Sequence, residues 1–238
     1  GNINKSCKSN IMKFSIENFV YGAIDGAVTT FAIVAAVVGA VLSPSIILIL
    51  GFANLFADGF SMAIGNYLAV KTHNEYVARE RKKEEWEIDN LIEEEKQEIR
   101  DIYIKKGFKE ELLEEIVRII TGRRKVWVDT MMREELGLIE DKNSPLVNAV
   151  NTFVGFNAIG IIPLIPFIFF YLSGFNISIG NAFFYSIIAT ASAFFLIGSI
   201  RGKVVQKPMI SSGFNTLLIG GTAAVVSYVV GHLLSTIV

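Results

Sequence analysis

Cysteine, histidine and nucleotide-binding motifs are almost absent from the sequence. Cys7 is the one cysteine among 238 residues, which excludes a disulfide framework and a thiolate metal cluster. The two histidines, His73 and His232, are isolated, and neither belongs to an H-E-x-x-H zinc motif. No G-x-x-x-x-G-K-S/T loop occurs, so nothing indicates an ATP-driven mechanism.

Charge is also scarce, except in one block. Residues 71–145 hold 16 of the 22 Lys and Arg and 20 of the 23 Asp and Glu, which leaves nine charges for the other 163 residues. An ordinary soluble fold could not cover its surface with so few charges. The block is acidic, which argues against a nucleic-acid partner, and a hydrophobic content of 52% excludes a disordered chain. The remaining class is a multi-pass membrane protein, surrounded by lipid, with one charged domain inserted.

Five apolar stretches are long enough to cross a bilayer, which takes about 20 helical residues. They lie at 19–42, 45–70, 146–172, 179–200 and 213–237, and they predict an all-α fold. Two Ser-Pro pairs, at 43–44 and 144–145, are typical of a cap followed by proline at the first helical position. Pro163 and Pro166 lie inside the third stretch and are expected to kink it.

Lysine and arginine outside the central block occur in only two segments, and this predicts the orientation. The N-terminal segment and the loop RGKVVQKP after the fourth span are basic, whereas the other loops and the C-terminus are not. With five spans, these two segments and the central block fall on one side, which the positive-inside rule makes cytoplasmic. The predicted parts are 1–70 with spans one and two, 71–145 as a cytoplasmic helical domain, and 146–238 with spans three to five.

The central block is predicted to be three helices. Residues 71–106 contain no Pro or Gly, so the second span is expected to continue through them as one helix until Gly107. A second helix is expected at 109–120 and a third at 124–138, each with an apolar face. Such faces predict a small bundle or a partner chain.

Two acids lie well inside the predicted spans. Asp25 and Asp58 have no Lys or Arg in their own spans, so a cation or a proton is the natural counter-charge. The alternative for Asp25 is a solvated acid near a helix end. Asp58, Met62 and Asn66 are spaced i, i+4, i+8 and share one helix face, which could line a path for a divalent ion. The alternative for Met62 is apolar filling.

Small residues follow a spacing that permits close helix packing. Gly22 and Gly26 form a G-x-x-x-G pattern, which Ala35 and Gly39 extend. Such a face serves packing within one chain or across a dimer.

Acidic side chains in the central block form a second candidate metal site. On one ideal helix Glu84, Glu87, Glu95 and Glu98 would lie within about 80° of one another, as a stripe about 21 Å long. The alternative is an ordinary solvated face with Lys and Arg interspersed. On the third helix, at three- and four-residue spacing, lie Met131, Met132 and Glu135, a mixture that suits Fe(II) or Mn(II) better than Ca or Mg.

Three segments together resemble a known family. They are YGAIDGAVTTFAIVAA, then FADGFSMAIGNYLAVKTHNEY, then the end of the insert, WVDTMMREELGL. From about residue 17 to its end the chain is similar to the vacuolar iron transporter family, which includes the yeast calcium-sensitive cross-complementer type.

The resemblance implies a five-span homodimer, not an enzyme and without a prosthetic group, that exports Fe(II), sometimes Mn(II), from the cytoplasm in exchange for protons. It matches the family's first-span aspartate to Asp25 and its second-span methionine to Met62. The glutamates of the family's cytoplasmic metal-binding domain match Glu84, Glu87, Glu95, Glu98 and Glu135, beside Met131 and Met132. Asn54 and Asn66 depart from the pattern, since related sequences often have an acid there. A neutral amide cannot carry a proton, which leaves Asp58 as the candidate substitute.

Three alternatives stay open. The first is a Mn(II)-selective exporter, and the sequence does not rank Fe(II) against Mn(II), Co(II) or Zn(II). The second is a membrane-anchored metal sensor without transport. The third is a di-metal oxidase, although residues 71–145 lack the Glu-x-x-His pair such sites use. The absence of a targeting extension favours a prokaryotic plasma membrane, with the vacuolar membrane as the alternative.

Overall fold

The structure is a computed structural model that describes residues 14–141, 143–173 and 178–237. Across these residues it is helical without strands, which confirms the predicted all-α fold. Its helices are α1 (Ile16–Gly39), α2 (Pro44–Asn90), α3 (Ile92–Lys105), α4 (Glu110–Thr121), α5 (Arg124–Glu134), α6 (Pro145–Gly160), α7 (Ile165–Ser173), α8 (Ile179–Val204) and α9 (Met209–Ser235). Cys7 and the lysines of the N-terminal segment (Lys5, Lys8 and Lys13) lie outside the described residues.

The chain divides into two compact units. The span unit comprises Gly1–Tyr67 and Asn143–Val238, and the insert unit comprises Leu68–Lys142. The helix α2 contributes its apolar first part to the span unit and its charged last part to the insert unit. The part of α2 before Leu68 is its membrane-spanning segment, because its one charged residue is Asp58 and the charged residues that follow begin only at Lys71.

The described residues contain five stretches of helix that are long and apolar enough to cross a membrane, as predicted. The Ser-Pro pairs mark helix starts correctly, since α2 begins at Pro44 and α6 at Pro145. The first span begins at Ile16, earlier than the predicted residue 19, because the Ser15 hydroxyl accepts a hydrogen bond from the Asn18 N–H (3.4 Å) and caps the helix.

Proline interrupts the third span as predicted. The helix α6 ends at Gly160, a 3-10 turn covers Ile162–Leu164, and α7 follows. Pro163 in this turn cannot donate a backbone hydrogen bond, and its own carbonyl accepts one from the Ser186 hydroxyl of α8 (2.7 Å, both residues buried). The Pro163 carbonyl is therefore satisfied inside the protein, as a membrane environment requires.

The helix α1 packs against α6 and α9 at glycines. A Cβ on Gly22 would lie 2.1 Å from the Thr152 carbonyl oxygen of α6, and one on Gly26 would lie 2.3 Å from that of Phe156. On α9, a Cβ on Gly39 would lie 2.3 Å from the Tyr228 carbonyl oxygen. The small-residue pattern of α1 thus serves helix packing within one chain.

The predicted single helix through residues 71–106 is wrong. The helix breaks at Leu91 (φ −124°, ψ 41°), and a separate helix, α3, follows. The side-chain amide of Asn90 donates to the Trp86 carbonyl (2.7 Å), which competes with the backbone for that acceptor at the end of α2. The described part of the insert unit therefore contains four helical pieces rather than three, namely the end of α2 with α3, α4 and α5.

The other helix ends in the insert unit were predicted with mixed success. Gly107, in the left-handed region (φ 94°), ends α3 after Lys105, as expected. The helix α5 ends at Glu134, earlier than the predicted residue 138. The buried apolar side chains of these helices form one core, which comprises Val77, Ile88, Ile99, Leu113, Val117, Ile120, Trp127, Val128, Met131 and Met132.

Gly26→Ala tests the contact between α1 and α6. The new Cβ would meet the backbone of Phe156, so we expect the yield of folded protein to fall sharply. Gly65→Ala is the matched control, because nothing lies within 4 Å of a Cβ at that position. Size-exclusion chromatography of both purified variants measures the yield, and equal yields would contradict this account of the packing.

Candidate metal centre

The two acids inside the spans face each other across α1 and α2. Hydrogen bonds fix the antiparallel register of these helices: Asn66 Nδ2 donates to Asn18 Oδ1 (2.7 Å), and Asn54 Nδ2 donates to Thr29 Oγ1 (3.1 Å). This register places Asp58 opposite Asp25, close enough for its charge to act on the Asp25 carboxyl group. Both side chains are half-buried, and neither forms an ion pair with any described residue. A proton or a metal ion would remove the repulsion between them.

Asn54 and Asn66, which depart from the family pattern, fasten α2 to its neighbours. Besides its bond to α1, the Asn66 amide donates to the Thr152 hydroxyl of α6 (2.8 Å). The Asn54 amide also lies 3.4 Å from the Thr30 hydroxyl. A carboxylate could not donate any of these bonds. The amides therefore have a structural reason to stand where an acid would be expected.

Met62 lies one helical turn beyond Asp58 on the same face of α2. It is half-buried and packs against the apolar core of the span unit. Its position beside the two acids is consistent with a thioether ligand for a transported metal ion. Its packing is equally consistent with a side chain that only fills space in the apolar core.

Five glutamates of the insert unit form an acidic cluster, which comprises Glu84, Glu87, Glu95, Glu98 and Glu135. Glu84 and Glu95 are 3% and 4% exposed, and their carboxyl groups share a hydrogen bond. Glu84 Oε1 and Glu95 Oε2 are buried without a hydrogen-bond partner in the described part of the chain. Glu135, which follows α5, hydrogen-bonds Glu98. The predicted stripe along one straight helix is therefore wrong, and the same glutamates instead surround the break at Leu91.

Burial keeps protons on this cluster. It raises the pKa of Glu84 to about 8, with the charge of Glu95 as the next cause. Burial, and then the charge of Glu98, raises the pKa of Glu135 to about 7. Burial also raises the pKa of Glu95, although its hydrogen bond with Glu84 opposes this. A metal ion that binds here at neutral pH must displace protons.

The cluster is not preassembled as a coordination shell. Among the residues that the structure describes, no three His, Cys, Asp or Glu side chains are placed to hold a metal ion. Met131 and Met132 lie beside Trp127 and Val128 in the apolar core and are almost fully buried. Metal binding through these predicted ligands therefore requires a local rearrangement.

Most nearby cations pair with acids outside the cluster. Lys96 pairs with Glu93 (2.7 Å) and Arg100 with Glu114 (2.8 Å). Lys83 pairs with Glu87 (3.1 Å), and within the described residues this is the one ion pair that reaches the five glutamates. A uniformly solvated charged face would not leave Glu84 and Glu95 buried without an ion pair among the described residues.

Glu80 is a further partly buried acid on the same stretch of α2. It lies one turn before Glu84, its side chain is 14% exposed, and Arg79 holds it at 2.6 Å. Its i, i+4, i+7 spacing with Glu84 and Glu87 was the signal that could have identified it.

The raised pKa values predict that the insert unit loses stability as pH rises from about 5 to about 8. In this range the folded unit holds protons on Glu84 and Glu135 that the unfolded chain has released, so the free energy of unfolding falls. Both tryptophans of the chain, Trp86 and Trp127, lie in this unit. Their fluorescence during denaturant unfolding of the full-length, metal-free protein measures the effect.

Glu84→Gln is expected to flatten this pH dependence, because the amide stays neutral at every pH. Glu111→Gln, on the exposed surface of α4, should keep the wild-type slope. An unfolding free energy that rises with pH in the wild type would show that the glutamates do not hold protons in the fold.

Comparison with known proteins assigns the chain to a family. The model of the VIT family matches residues 16–232. The "Vacuolar iron transporter" of Toxoplasma gondii is 36% identical over 238 residues, which cover 98% of this chain and 79% of that protein. That of Plasmodium falciparum is 33% identical (94% and 84% covered), and "Vacuolar iron transporter 1" of Arabidopsis thaliana is 30% identical (90% and 83% covered). Since the match includes both the spans and the charged insert, the chain belongs to the VIT family.

Proposed function

We propose that this protein exports Fe(II) from the cytoplasm across a membrane in exchange for protons. The observation that carries the proposal is the pair formed by Asp25 and Asp58, two carboxylates of neighbouring spans without a protein cation among the described residues. The relatives named vacuolar iron transporters support iron as the cargo. Mn(II) is the nearest alternative cargo, and Co(II) and Zn(II) are further alternatives that the same ligands could bind.

The acidic cluster is the proposed site of metal collection. Carboxylates bind divalent first-row ions, and a divalent ion would neutralise Glu84 and Glu95, whose buried oxygens are unpaired. Each ion bound there would release protons, because the raised pKa values of Glu84 and Glu135 keep these groups protonated near neutral pH. Metal uptake by the insert unit is thus proposed to be steeply pH-dependent.

The path through the membrane is proposed to use Asp25, Asp58 and Met62. Two facing carboxylates in a low-dielectric environment are stable with a bound proton or a bound cation, so the two ions compete for the same charge. This competition is the physical basis of exchange. Asp58 is the proposed proton carrier, because Asn54 and Asn66 are amides that donate hydrogen bonds.

A homodimer and a cytoplasmic insert unit belong to the same proposal. Large apolar side chains on the first part of α2 are exposed, among them Phe56 and Phe60, and they suit contact with lipid or with a second copy. The basic residues near Arg201 support a cytoplasmic location for that loop and for the insert. The membrane is proposed to be a prokaryotic plasma membrane, with a vacuolar membrane as the alternative.

Transport assays in proteoliposomes test the path. We expect Asp25→Asn and Asp58→Asn to reduce Fe(II) flux to about a tenth of the wild-type rate or less, because each removes a charge that the ion needs at membrane depth. Asp101→Asn, an exposed acid on α3, is the matched control and should transport normally. Wild-type flux in Asp25→Asn would refute the assigned role, and metal binding without any flux in the wild type would favour a sensor.

A pH-sensitive dye inside the vesicles tests the exchange. Fe(II) movement by the wild type is expected to drive protons in the opposite direction, and Mn(II) should do so if it is also cargo. Iron flux without any proton movement would contradict exchange. Oxygen consumption, measured with an oxygen electrode, distinguishes a transporter from a di-metal oxidase. Only the oxidase would consume oxygen on addition of Fe(II).

Titration of the full-length protein with Mn(II), as an air-stable probe, tests collection by the acidic cluster. Glu84→Gln and Glu135→Gln are each expected to weaken binding by about 10- to 100-fold at neutral pH, since each removes a ligand. Glu111→Gln should bind as the wild type does. Proton release on binding, followed in weak buffer, should also decrease in Glu84→Gln, and unchanged affinity in both variants would exclude the cluster as the site.

A further inference from the structure

A groove of about 530 Å³ lies between α1, α8 and α9 of the span unit. Its walls are mostly apolar, and three charged side chains line it: Glu17, Asp25 and Arg201. Its volume lies within the range of about 300–1,000 Å³ that small-molecule sites occupy. It is open on one side, since Tyr21 and Ile219 on its walls are exposed.

The groove has the length of one leaflet of a bilayer. It follows α1 from Ile16 to Val28, which is about 18 Å at 1.5 Å per residue. The hydrocarbon core of a bilayer is about 30 Å thick, so one leaflet contributes about 15 Å. An acyl chain that lies along the groove would therefore reach from the headgroup level to near the bilayer centre.

The charges at its mouth have opposite sign and no partners. Glu17 lies in the first turn of α1 and Arg201 in the last turn of α8, so both are at the same end of the groove. Neither side chain forms an ion pair or a hydrogen bond with another described residue, and the two side chains do not pair with each other. A headgroup that carries one anionic group and one hydrogen-bonding cationic group would bind both side chains at once.

We propose that this groove binds phosphatidylethanolamine, with its phosphate on Arg201, its ammonium group on Glu17 and one acyl chain along the apolar walls. The planar guanidinium suits a phosphate, and an ammonium group can donate hydrogen bonds to a carboxylate. Phosphatidylglycerol has no cationic group to pair with Glu17, and the methylated ammonium of phosphatidylcholine cannot donate a hydrogen bond to it. The chemistry of the mouth thus favours a headgroup that combines a phosphate with a primary ammonium group, and the extra carboxylate of phosphatidylserine would repel Glu17.

The bound chain would also cover Asp25. This acid lies eight residues deeper than Glu17, about 12 Å along α1, and its side chain lines the same groove. Since Asp25 belongs to the proposed path, the lipid would close that path against the bilayer. This consequence rests on the proposed function, whereas lipid binding itself does not.

Lipid retention by the purified full-length protein tests the proposal. After delipidation in mild detergent, the protein is incubated with phosphatidylethanolamine, phosphatidylcholine or phosphatidylglycerol of identical acyl chains, and native mass spectrometry counts the bound lipid. We expect a preference for phosphatidylethanolamine, reduced about tenfold in Arg201→Gln and in Glu17→Gln. Lys203→Gln is the matched control, because this basic residue of the same helix end does not line the groove.

A second variant tests the apolar part. Val204→Trp places a large ring on the groove wall and should exclude the chain of all three lipids, with the oligomeric state unchanged. Equal retention of phosphatidylethanolamine by the wild type and both charge variants would overturn the proposal. So would a change of oligomeric state in Val204→Trp with lipid retention intact, since a second copy would then occupy the groove. Neither outcome depends on iron flux, so the lipid-retention result can be interpreted even if the transport assay fails.

Discussion

The contact between α1 and α6 is the constraint on which the span unit depends. Gly22 and Gly26 bring the backbone of α1 against the carbonyl groups of Thr152 and Phe156, at a distance that no side chain permits. Such a contact fixes the rotation of α1 about its axis. Asp25, next to Gly26, is thereby held toward α2 and the groove between α1, α8 and α9 and away from α6. The glycines thus determine where the buried charge points, although they carry no chemistry themselves.

Both candidate sites follow the same physical rule, in different surroundings. In each, two carboxyl groups from separate helical segments meet where water is scarce and where protein cations are few. Such a pair is stable with a proton or with a metal ion, and it is unstable when both groups are bare. In the insert unit, the carboxyl groups of buried Glu84 and Glu95 are hydrogen-bonded to each other. Asp25 and Asp58 repel each other in the same way in the span unit. Competition between a metal ion and a proton for the same pair of carboxylates can therefore explain exchange at both sites.

Features that depend on local pattern could be predicted from the sequence. Apolar runs predict the spans, the Ser-Pro pairs predict the starts of α2 and α6, and Gly107 predicts the end of α3, because each acts within one helical turn. Features that depend on competition or on distant partners could not be predicted. Its helix face predicts a path-lining role for Asn66, but in the structure its amide donates hydrogen bonds to side chains of α1 and α6 that are distant in sequence. Met131 and Met132 were read as ligands, and periodicity alone does not show that they face a core.

The break at Leu91 changes what the glutamates can do together. On one straight helix, Glu84 and Glu95 would be about 16 Å apart along the axis, at 1.5 Å per residue, which no hydrogen bond can span. In the structure they share one, because the chain changes direction between α2 and α3. A long stripe would hold several ions loosely on its surface. A compact cluster instead offers several carboxylates to one ion, and its glutamates lie on both sides of the helix break at Leu91. Binding of an ion would therefore pull α3 and the end of α2 together. Metal binding and the conformation of the insert unit would then be coupled equilibria.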